Sequence, residues 1–260
     1  MDRAHDQPTT SRILVTGASS GIGEAFALHH ATVGVCLVLV GRDRQALDRV
    51  SRLAEERGAD TEIIIADLST PQGVDLACEA ADNPDIVIAN AGITHAATTG
   101  TSDPDVLDRL AYLMSTGVVR MCEQLVPPMV ARGTGTVVIV SSIAARTPMR
   151  KAAPYAAAKS HATAYAQSLA LEIEPKGVRV LAVCPGYVHT DLHRRAGLDH
   201  LNRSIPGWMW LDPEDVVRAT VRALRGRRNA VVPGLVYKLV LPFLASRTAQ
   251  GIWRRLTRRH

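Results

Sequence analysis

The sequence is poor in cysteine and in aromatic residues, and it contains no long hydrophobic run. Its four cysteines are far apart in 260 residues and form no Cys-x-x-Cys pair. This spacing gives no basis for a disulfide framework or a metal site, so we expect buried free thiols in a reducing interior. The N-terminus has no apolar signal-peptide core, and the apolar stretch 235–245 is too short to cross a bilayer. These absences favour a cytoplasmic globular protein.

Short runs rich in Val and Ile alternate with amphipathic stretches along the chain. Such runs are typical of strands buried on both faces of a parallel sheet, and the stretches between them predict helices. The predicted strands are residues 13–16, 35–40, 63–66, 86–89, 137–140, 178–183 and 230–232. The predicted helices are residues 23–32, 44–57, 72–80, 104–132, 156–174 and 213–225. The alternation predicts a single-domain α/β Rossmann fold, with a doubly wound, mainly parallel seven-stranded sheet and helices on both faces.

Three segments lie outside this alternation. Residues 1–11 are polar and predict a disordered tail, and residues 188–211 form a long irregular insertion within the domain 12–233. Residues 234–260 form an extension that is first apolar and then basic. Its basic part has no acidic residue and contains Arg247, Arg254, Arg255, Arg258 and Arg259. This charge predicts a solvated tail or a surface for anionic lipid or another acidic partner.

A glycine-rich turn joins the first predicted strand to the first predicted helix. Glycine allows the backbone to turn tightly and to approach a pyrophosphate, which the free N–H groups of the helix N-terminus can bind. The position of the turn between a strand and a helix predicts a dinucleotide site. Its predicted contacts are Gly17, Ser19, Ser20, Gly21, Ile22 and Gly23.

The end of the second predicted strand indicates which dinucleotide is bound. An acidic residue there would bind the ribose 2′-hydroxyl of NAD, but Gly41 occupies this place and Arg42 follows. A guanidinium group matches phosphate geometry, so we predict NADP (NADPH), with NAD the less favoured cofactor. Asp43 is evidence against this unless it caps the next helix. Arg44 either assists Arg42 or is surface charge.

Tyr155 and Lys159 are four residues apart on a predicted helix and therefore share one face. A nearby ammonium group favours the phenolate, so Lys159 is expected to lower the pKa of Tyr155 and to make it a usable acid or base. Ser142, thirteen residues upstream of Tyr155, is expected to polarise a carbonyl oxygen beside the phenol. Ser141 is the alternative to Ser142.

These motifs together resemble the short-chain dehydrogenase/reductase family, in its NADP-preferring form with a Tyr-x-x-x-Lys active site. The resemblance covers about residues 12–232 and includes Asn90-Ala91-Gly92 and Pro185-Gly186. It implies contacts with the adenine from Asp67 and Leu68, and with the adenosine ribose from Asn90 and Gly92. For the nicotinamide end it implies Pro185, Gly186, Val188 and Thr190, together with Tyr155 and Lys159.

The resemblance implies an NADP(H)-dependent oxidoreductase that transfers a hydride between nicotinamide and a carbonyl or secondary alcohol. Tyr155 would exchange the proton, Ser142 would bond the reacting oxygen, and Lys159 would bind the nicotinamide ribose. The alternative is an NADP-binding regulatory or scaffold module that performs little or no redox chemistry. A methyltransferase also uses a glycine-rich turn but would not require Tyr155 and Lys159.

One position departs from the family's pattern. Many relatives carry an Asn three residues before a Gly on the long helix after the fourth strand, where it supports a water chain to the lysine. Alignment on Gly117 puts Met114 at that position, and Met can neither donate a hydrogen bond nor accept one strongly. Either the proton relay is modified, or Ser115 or Thr116 takes the place of the Asn.

The irregular segment 188–211 lies where the family has its substrate lid. Trp208, Met209 and Trp210 are expected either to wall an apolar pocket or to pack beneath the lid, and an apolar, lipid-like ketone or alcohol is the favoured substrate. Arg194 and Arg195 would meet an acidic group or face solvent. Small residues on helices 104–132 and 156–170 predict a homodimer or homotetramer. The C-terminal tail would contact the inner membrane surface or cover a partner subunit, and no nucleic acid partner is expected.

Overall fold

The computed structural model describes residues 11–96, 98–147, 151–190 and 205–244. Three predicted features therefore lie outside the described residues: all but the last residue of the N-terminal tail, the arginines at 194 and 195, and the basic end of the chain. Among the described residues, no helix is long and apolar enough to cross a membrane.

The strands alternate with helices in the predicted order. The described residues contain strands β1 (Ser11–Thr16), β2 (Val35–Gly41), β3 (Asp60–Ile65), β4 (Ile86–Ala89), β5 (Gly135–Val140), β6 (Val178–Val183), β7 (Tyr187–Val188), β8 (Trp210–Leu211) and β9 (Ala230–Val231). Seven of them form one parallel sheet in the order β3-β2-β1-β4-β5-β6-β9. The strand order reverses between β1 and β4, and such a reversal opens a ligand-binding crevice at the carboxyl ends of the strands.

The helices cover both faces of this sheet. They are α1 (Gly21–His30), α2 (Arg44–Glu55), α3 (Pro71–Ala81), α4 (Pro104–Met114), α5 (Thr116–Arg132), α6 (Ala153–Ile173), α7 (Pro213–Leu224) and α8 (Leu235–Leu244). Alternate side chains of each strand enter two separate cores: Leu14 packs with α3, α5 and α6, whereas Ile13 packs with α1, α2 and α7. The predicted α/β, doubly wound, single-domain Rossmann fold is confirmed, and apart from helix 104–132 the predicted bounds differ by up to three residues.

The predicted helix 104–132 is wrong as a single element, because it is broken at Ser115 into α4 and α5. Ser115 leaves the helical conformation (φ −133°, ψ −84°), and its hydroxyl donates to the Ala111 carbonyl. Gly117 allows the turn to close, since a Cβ there would lie 2.9 Å from the carbonyl oxygen of Tyr112. Both helices have apolar residues at helical spacing, so the periodicity alone did not reveal the break.

The segment predicted as irregular, 188–211, begins and ends in regular structure. Tyr187 and Val188 pair in parallel with Trp210 and Leu211, which gives the two-stranded sheet β7–β8. A single 3₁₀ turn, Gly207–Met209, leads into β8. Two-residue strands are too short to produce a recognisable alternation, so these strands were not predicted.

Candidate active site

The glycine-rich turn between β1 and α1 is held closely by two other segments. Gly17 and Gly21 adopt φ values of +64° and +59°, which side-chain-bearing residues rarely adopt. A Cβ on Gly17 would lie 2.9 Å from Asn90 Nδ2, and one on Gly21 would lie 2.7 Å from Thr190 Cγ2. Ser20 precedes α1 without capping it through its side chain. The turn therefore presents backbone N–H groups at a helix N-terminus, which is suitable for binding a phosphate group.

Asn90 connects the ends of β1 and β4. Its side-chain amide donates to the carbonyl oxygens of Thr16 (3.0 Å) and Gly17 (3.3 Å). The hydroxyl of buried Thr16 accepts hydrogen bonds from the backbone N–H groups of Asn90 (2.9 Å) and Ala91 (3.0 Å). Asn90 thus supports the crevice structurally, whereas its implied contact with the ribose stays a prediction. Thr16 was missed as a supporting residue, because only its long-range contacts indicate the role.

Asp67 lies after β3 and is held by three hydrogen bonds. Its carboxylate accepts from the backbone N–H (3.0 Å) and hydroxyl (2.7 Å) of Ser69, and from Arg109 on α4 (2.6 Å). Burial acts to raise the pKa of Asp67, but the bonds from Ser69 and Arg109 outweigh it, so the pKa is lowered. The neighbouring Leu68 is buried. Asp67 is therefore a fixed carboxylate, and Arg109, which the sequence did not single out, orients it.

The two alternatives at the end of β2 can be distinguished. Asp43 caps α2, because its carboxylate accepts from the backbone N–H of Ala46 at 3.0 Å. Arg44 pairs with Asp48 at 3.0 Å on the same helix. Arg42 is exposed, and within the described residues no ion pair is found for it. Of these charged side chains, Arg42 alone has no described structural partner.

Ser142 and Ser141 have different surroundings. Ser142 caps the 3₁₀ turn Ile143–Ala145, and its side chain is hydrogen-bonded to that of Tyr155 in the first turn of α6. Ser141 is buried, and its hydroxyl bonds the Lys159 carbonyl (2.8 Å) and the Thr163 hydroxyl (2.6 Å). The structure therefore pairs Ser142 with the phenol and gives Ser141 a packing role.

Lys159 lies behind Tyr155 in a buried position. Its Nζ donates to the Val140 carbonyl at the end of β5 (2.8 Å) and lies 6.0 Å from the centre of the Tyr155 ring. Burial lowers the pKa of Lys159 to about 8. Burial also raises the pKa of Tyr155, with the Ser142 bond acting in the opposite direction. The expected lowering of the Tyr155 pKa is wrong here, because desolvation outweighs the hydrogen bond from Ser142.

Met114 and the ammonium group of Lys159 both lie beside Gly92. A Cβ on Gly92 would lie 3.4 Å from Met114 Sδ and 3.5 Å from Lys159 Nζ, so both atoms border Gly92. Met114 is only 1% exposed and packs in an apolar cluster with Ala158 and the Tyr155 ring. The alternative residues do not take this place, since the Ser115 hydroxyl bonds the Ala111 carbonyl and Thr116 is exposed.

The segment after β6 passes between the 3₁₀ turn that Ser142 caps and helix α8. The buried Pro185 accepts a hydrogen bond from the Ile143 N–H at 2.9 Å, and the Tyr187 N–H donates to the Tyr237 hydroxyl at 3.0 Å. Of the two predicted pocket tryptophans, Trp208 is 65% exposed. Trp210 is stacked on His189, with ring centres 5.0 Å apart. The described pocket wall is thus partly packed and partly open.

A family model described as short chain dehydrogenase matches residues 11–200, and the chain belongs to the short-chain dehydrogenase/reductase family. Dehydrogenase/reductase SDR family member 7B of Bos taurus is 31% identical over 194 residues, which are 71% of this chain and 60% of that protein. A very-long-chain 3-oxoacyl-CoA reductase of Anas platyrhynchos is 27% identical over 92% of this chain and 77% of that protein. The chain spans about three fifths of the first curated relatives it matches.

Solved structures have the same fold over nearly the whole chain. A short-chain dehydrogenase from Sphingobium yanoikuyae in complex with NADPH is 30% identical, with a TM-score of 0.79 and 96% of each chain covered. A family member from Burkholderia phymatum in complex with NAD is 22% identical, with a TM-score of 0.80 and coverage of 95% and 96%. Solved members of the family thus bind NADPH or NAD, and the chain has the fold of an oxidoreductase that binds a nicotinamide dinucleotide.

Proposed function

We propose that the protein is an NADP(H)-dependent oxidoreductase that transfers a hydride between nicotinamide and a carbonyl or secondary alcohol. The observation that carries the proposal is the half-buried Tyr155 phenol, which is hydrogen-bonded to Ser142 and has the buried Lys159 ammonium 6.0 Å from its ring centre. These groups follow the end of β5, on the same edge of the sheet as the glycine-rich turn after β1. The proposed dinucleotide site and the proposed proton donor would thus share one edge of the sheet.

The chemistry assigns one role to each of the three side chains. When bound, NADPH would supply the hydride that reduces the carbonyl carbon of the substrate. Ser142 would donate a hydrogen bond to the carbonyl oxygen, where negative charge grows. Tyr155 would transfer its proton to that oxygen, and its raised pKa keeps it protonated at neutral pH. In the reverse direction the phenolate would accept the proton, and Lys159 would stabilise that charge and bind the ribose.

Two features support NADP in preference to NAD: the exposed Arg42 and a similar structure solved with NADPH. The turn from Gly17 to Gly23 would bind the pyrophosphate, which both dinucleotides contain, so it does not distinguish between them. Arg42 is exposed at the end of β2, where it would pair with a 2′-phosphate, and the structure solved with NADPH is 30% identical to this chain. Asp67, Leu68, Asn90 and Gly92 would contact the adenosine part, and Pro185, Gly186, Val188 and Thr190 the nicotinamide end.

An apolar, lipid-like ketone or alcohol is the proposed substrate class. Trp208 is exposed beside β8, and the ring of Trp210 lies against Tyr187 with centres 5.5 Å apart. These rings offer apolar surface next to the segment that follows β6. The similarity to a very-long-chain 3-oxoacyl-CoA reductase is consistent with a long apolar substrate.

Two further contacts are proposed outside the site. Helices α4, α5 and α6 would form the interface of a homodimer or homotetramer, and Leu171 on α6 is 76% exposed. The protein would be cytoplasmic, and its extension 234–260 would contact the inner membrane surface. The contact would be made through Leu235 and Leu239, which are 77% and 79% exposed on α8.

The test is NADPH consumption with a panel of carbonyl substrates, together with NADPH binding measured by fluorescence. Tyr155→Phe should lower turnover at least about 100-fold, because the proton donor is removed, and should leave NADPH binding within about threefold. Tyr165→Phe is the matched control, since it removes a buried hydroxyl from the same helix away from Ser142.

The outcomes separate the two candidate functions. If Tyr155→Phe retains most of the wild-type turnover, Tyr155 is not the proton donor. Wild-type protein that binds NADPH but reduces no carbonyl would favour the regulatory or scaffold module, and wild-type protein that binds neither dinucleotide would contradict both functions.

A further inference from the structure

Tyr237 on α8 packs against Gly186, far from it in sequence. A Cβ on Gly186 would overlap the Tyr237 ring, since the three nearest atoms are all ring carbons. Tyr237 is 4% exposed, and the turn that brings it there depends on Gly234, which has a φ of +84°. Gly186 is not among the residues with positive φ. The requirement for glycine at 186 thus comes from this ring and not from the backbone conformation.

The phenol hydroxyl joins two segments that are separate in sequence. It accepts a hydrogen bond from the Tyr187 N–H (N to Oη 3.0 Å) and donates one to the Met209 carbonyl. Tyr187 opens β7, and Met209 immediately precedes β8, the partner strand of β7. One buried hydroxyl is therefore hydrogen-bonded both to β7, which follows Gly186, and to the residue that leads into β8.

The segment that contains Gly186 is also held by the 3₁₀ turn that Ser142 caps. The Pro185 carbonyl accepts from the N–H of Ile143, the residue after Ser142. One bond before Gly186 and one bond after it thus clamp the chain between the Ser142 turn and α8. Without the Tyr237 hydroxyl, Tyr187 and Val188 would keep their pairing with β8, but this segment would lose its hydrogen bond to α8.

We infer that Tyr237 is a positioning residue, whose hydroxyl holds residues 185–188 in the place where the nicotinamide end is bound during hydride transfer. This role rests on the function proposed above. Tyr237 would not contact the reacting atoms; it acts through Gly186 and Tyr187. Its loss should disturb the alignment of the hydride more than the affinity for the cofactor, because the glycine-rich turn anchors the other end.

The experiment compares Tyr237→Phe with wild type. The variant keeps the ring against Gly186 and removes only the hydroxyl. We expect kcat to fall about tenfold, the effect of losing one net hydrogen bond, while the Kd for NADPH changes less than about threefold. The primary isotope effect with NADPH deuterated at the transferred position should increase, since hydride transfer becomes more rate-limiting. Amide hydrogen exchange at Tyr187 should be at least about tenfold faster.

Tyr112→Phe is the matched control, because the Tyr112 hydroxyl is buried and has no hydrogen-bond partner among the described residues. It should leave all four quantities unchanged. Unchanged kcat and isotope effect in Tyr237→Phe would overturn the inference, as would a lower melting temperature with no change in either. If wild-type protein reduces no carbonyl, the proposed function fails, but the exchange rate at Tyr187 still tests whether the hydroxyl holds this segment.

Discussion

At the scale of single residues, the environment of Lys159 is the feature most open to test. Its ammonium has one described hydrogen bond, to the Val140 carbonyl, and Met114 borders it across Gly92. A thioether solvates a charge poorly, so burial keeps the Lys159 pKa at about 8. An Asn at position 114 would offer amide dipoles there instead.

Met114→Asn should therefore change the dependence of rate on pH. In wild type we expect the rate of carbonyl reduction to fall as the pH rises through about 8, because Lys159 then loses its positive charge. A polar neighbour favours the charged form, so the Asn variant should shift this falling limb to higher pH by about one unit. The measurement is kcat/KM from pH 6 to 10 under saturating NADPH.

Met114→Leu is the control, because it keeps the apolar contacts with Ala158 and the Tyr155 ring and offers no amide. The rate of Met114→Leu should fall over the same pH range as that of wild type. If Met114→Asn and wild type have the same pH profile, Met114 does not set the environment of Lys159.

At the scale of secondary-structure elements, the three charged side chains at the junction between β2 and α2 have different structural roles. Asp43 caps the helix and Arg44 pairs with Asp48 within it. These contacts use the acidic group that would otherwise have favoured NAD and the second arginine that would otherwise have assisted Arg42. The third side chain, Arg42 at the end of β2, has no structural partner among the described residues.

Arg42→Ala should raise the KM for NADPH by about 10- to 100-fold and change the KM for NADH less than about threefold, because a charge-assisted bond to the 2′-phosphate is lost. The measurement is steady-state kinetics with both dinucleotides. Arg44→Ala removes the same charge two residues away, where it costs only an exposed helix pair. Equal effects of the two variants on NADPH would contradict a specific role for Arg42.

At the scale of the whole molecule, charge is divided unevenly along the chain. The last 45 residues contain eleven Lys and Arg and no Asp or Glu, whereas the other 215 contain nineteen basic and 25 acidic residues. The chain thus carries a charge of +5 as the balance of a positive C-terminal part and a negative remainder. On α8, Tyr237 packs inward and Leu235 and Leu239 are exposed. An exposed apolar pair on a helix within a stretch of sequence that is basic and has no acidic residue is the pattern expected for binding an anionic membrane.

Flotation with vesicles tests this surface. We expect wild type to float with phosphatidylcholine vesicles that contain phosphatidylglycerol, and to be released by about 0.5 M salt, which screens the charges. Leu235→Ser with Leu239→Ser should weaken binding at least about tenfold, because two apolar side chains no longer leave water. Val33→Ser is the matched control, since Val33 is 82% exposed and lies outside the extension.

Equal flotation with neutral and anionic vesicles, or equal flotation of the double variant and wild type, would contradict the predicted binding to an anionic membrane. If the double variant instead changes the oligomeric state on size-exclusion chromatography, the extension covers a partner subunit.

Local patterns in the sequence determined the fold and the membership of the candidate site. Val- and Ile-rich runs alternating with amphipathic stretches specify a parallel sheet covered on both sides, since each pattern depends on neighbours only a few residues apart. The glycine-rich turn, Ser142, Tyr155 and Lys159 were found in the same way. The distinction between Ser142 and Ser141 and the capping role of Asp43 agree with these expectations because they also depend on short spacings.

Only the tertiary structure decided the properties that depend on burial and on contacts between distant segments. The helix break at Ser115 depends on the packing of Gly117 against Tyr112, and the raised pKa of Tyr155 depends on how completely the phenol is desolvated. Arg109 and Tyr237 act on residues about 42 and 50 positions away. No local pattern reports such contacts, because the free energy of a buried charge or hydrogen bond is set by everything that surrounds it in three dimensions.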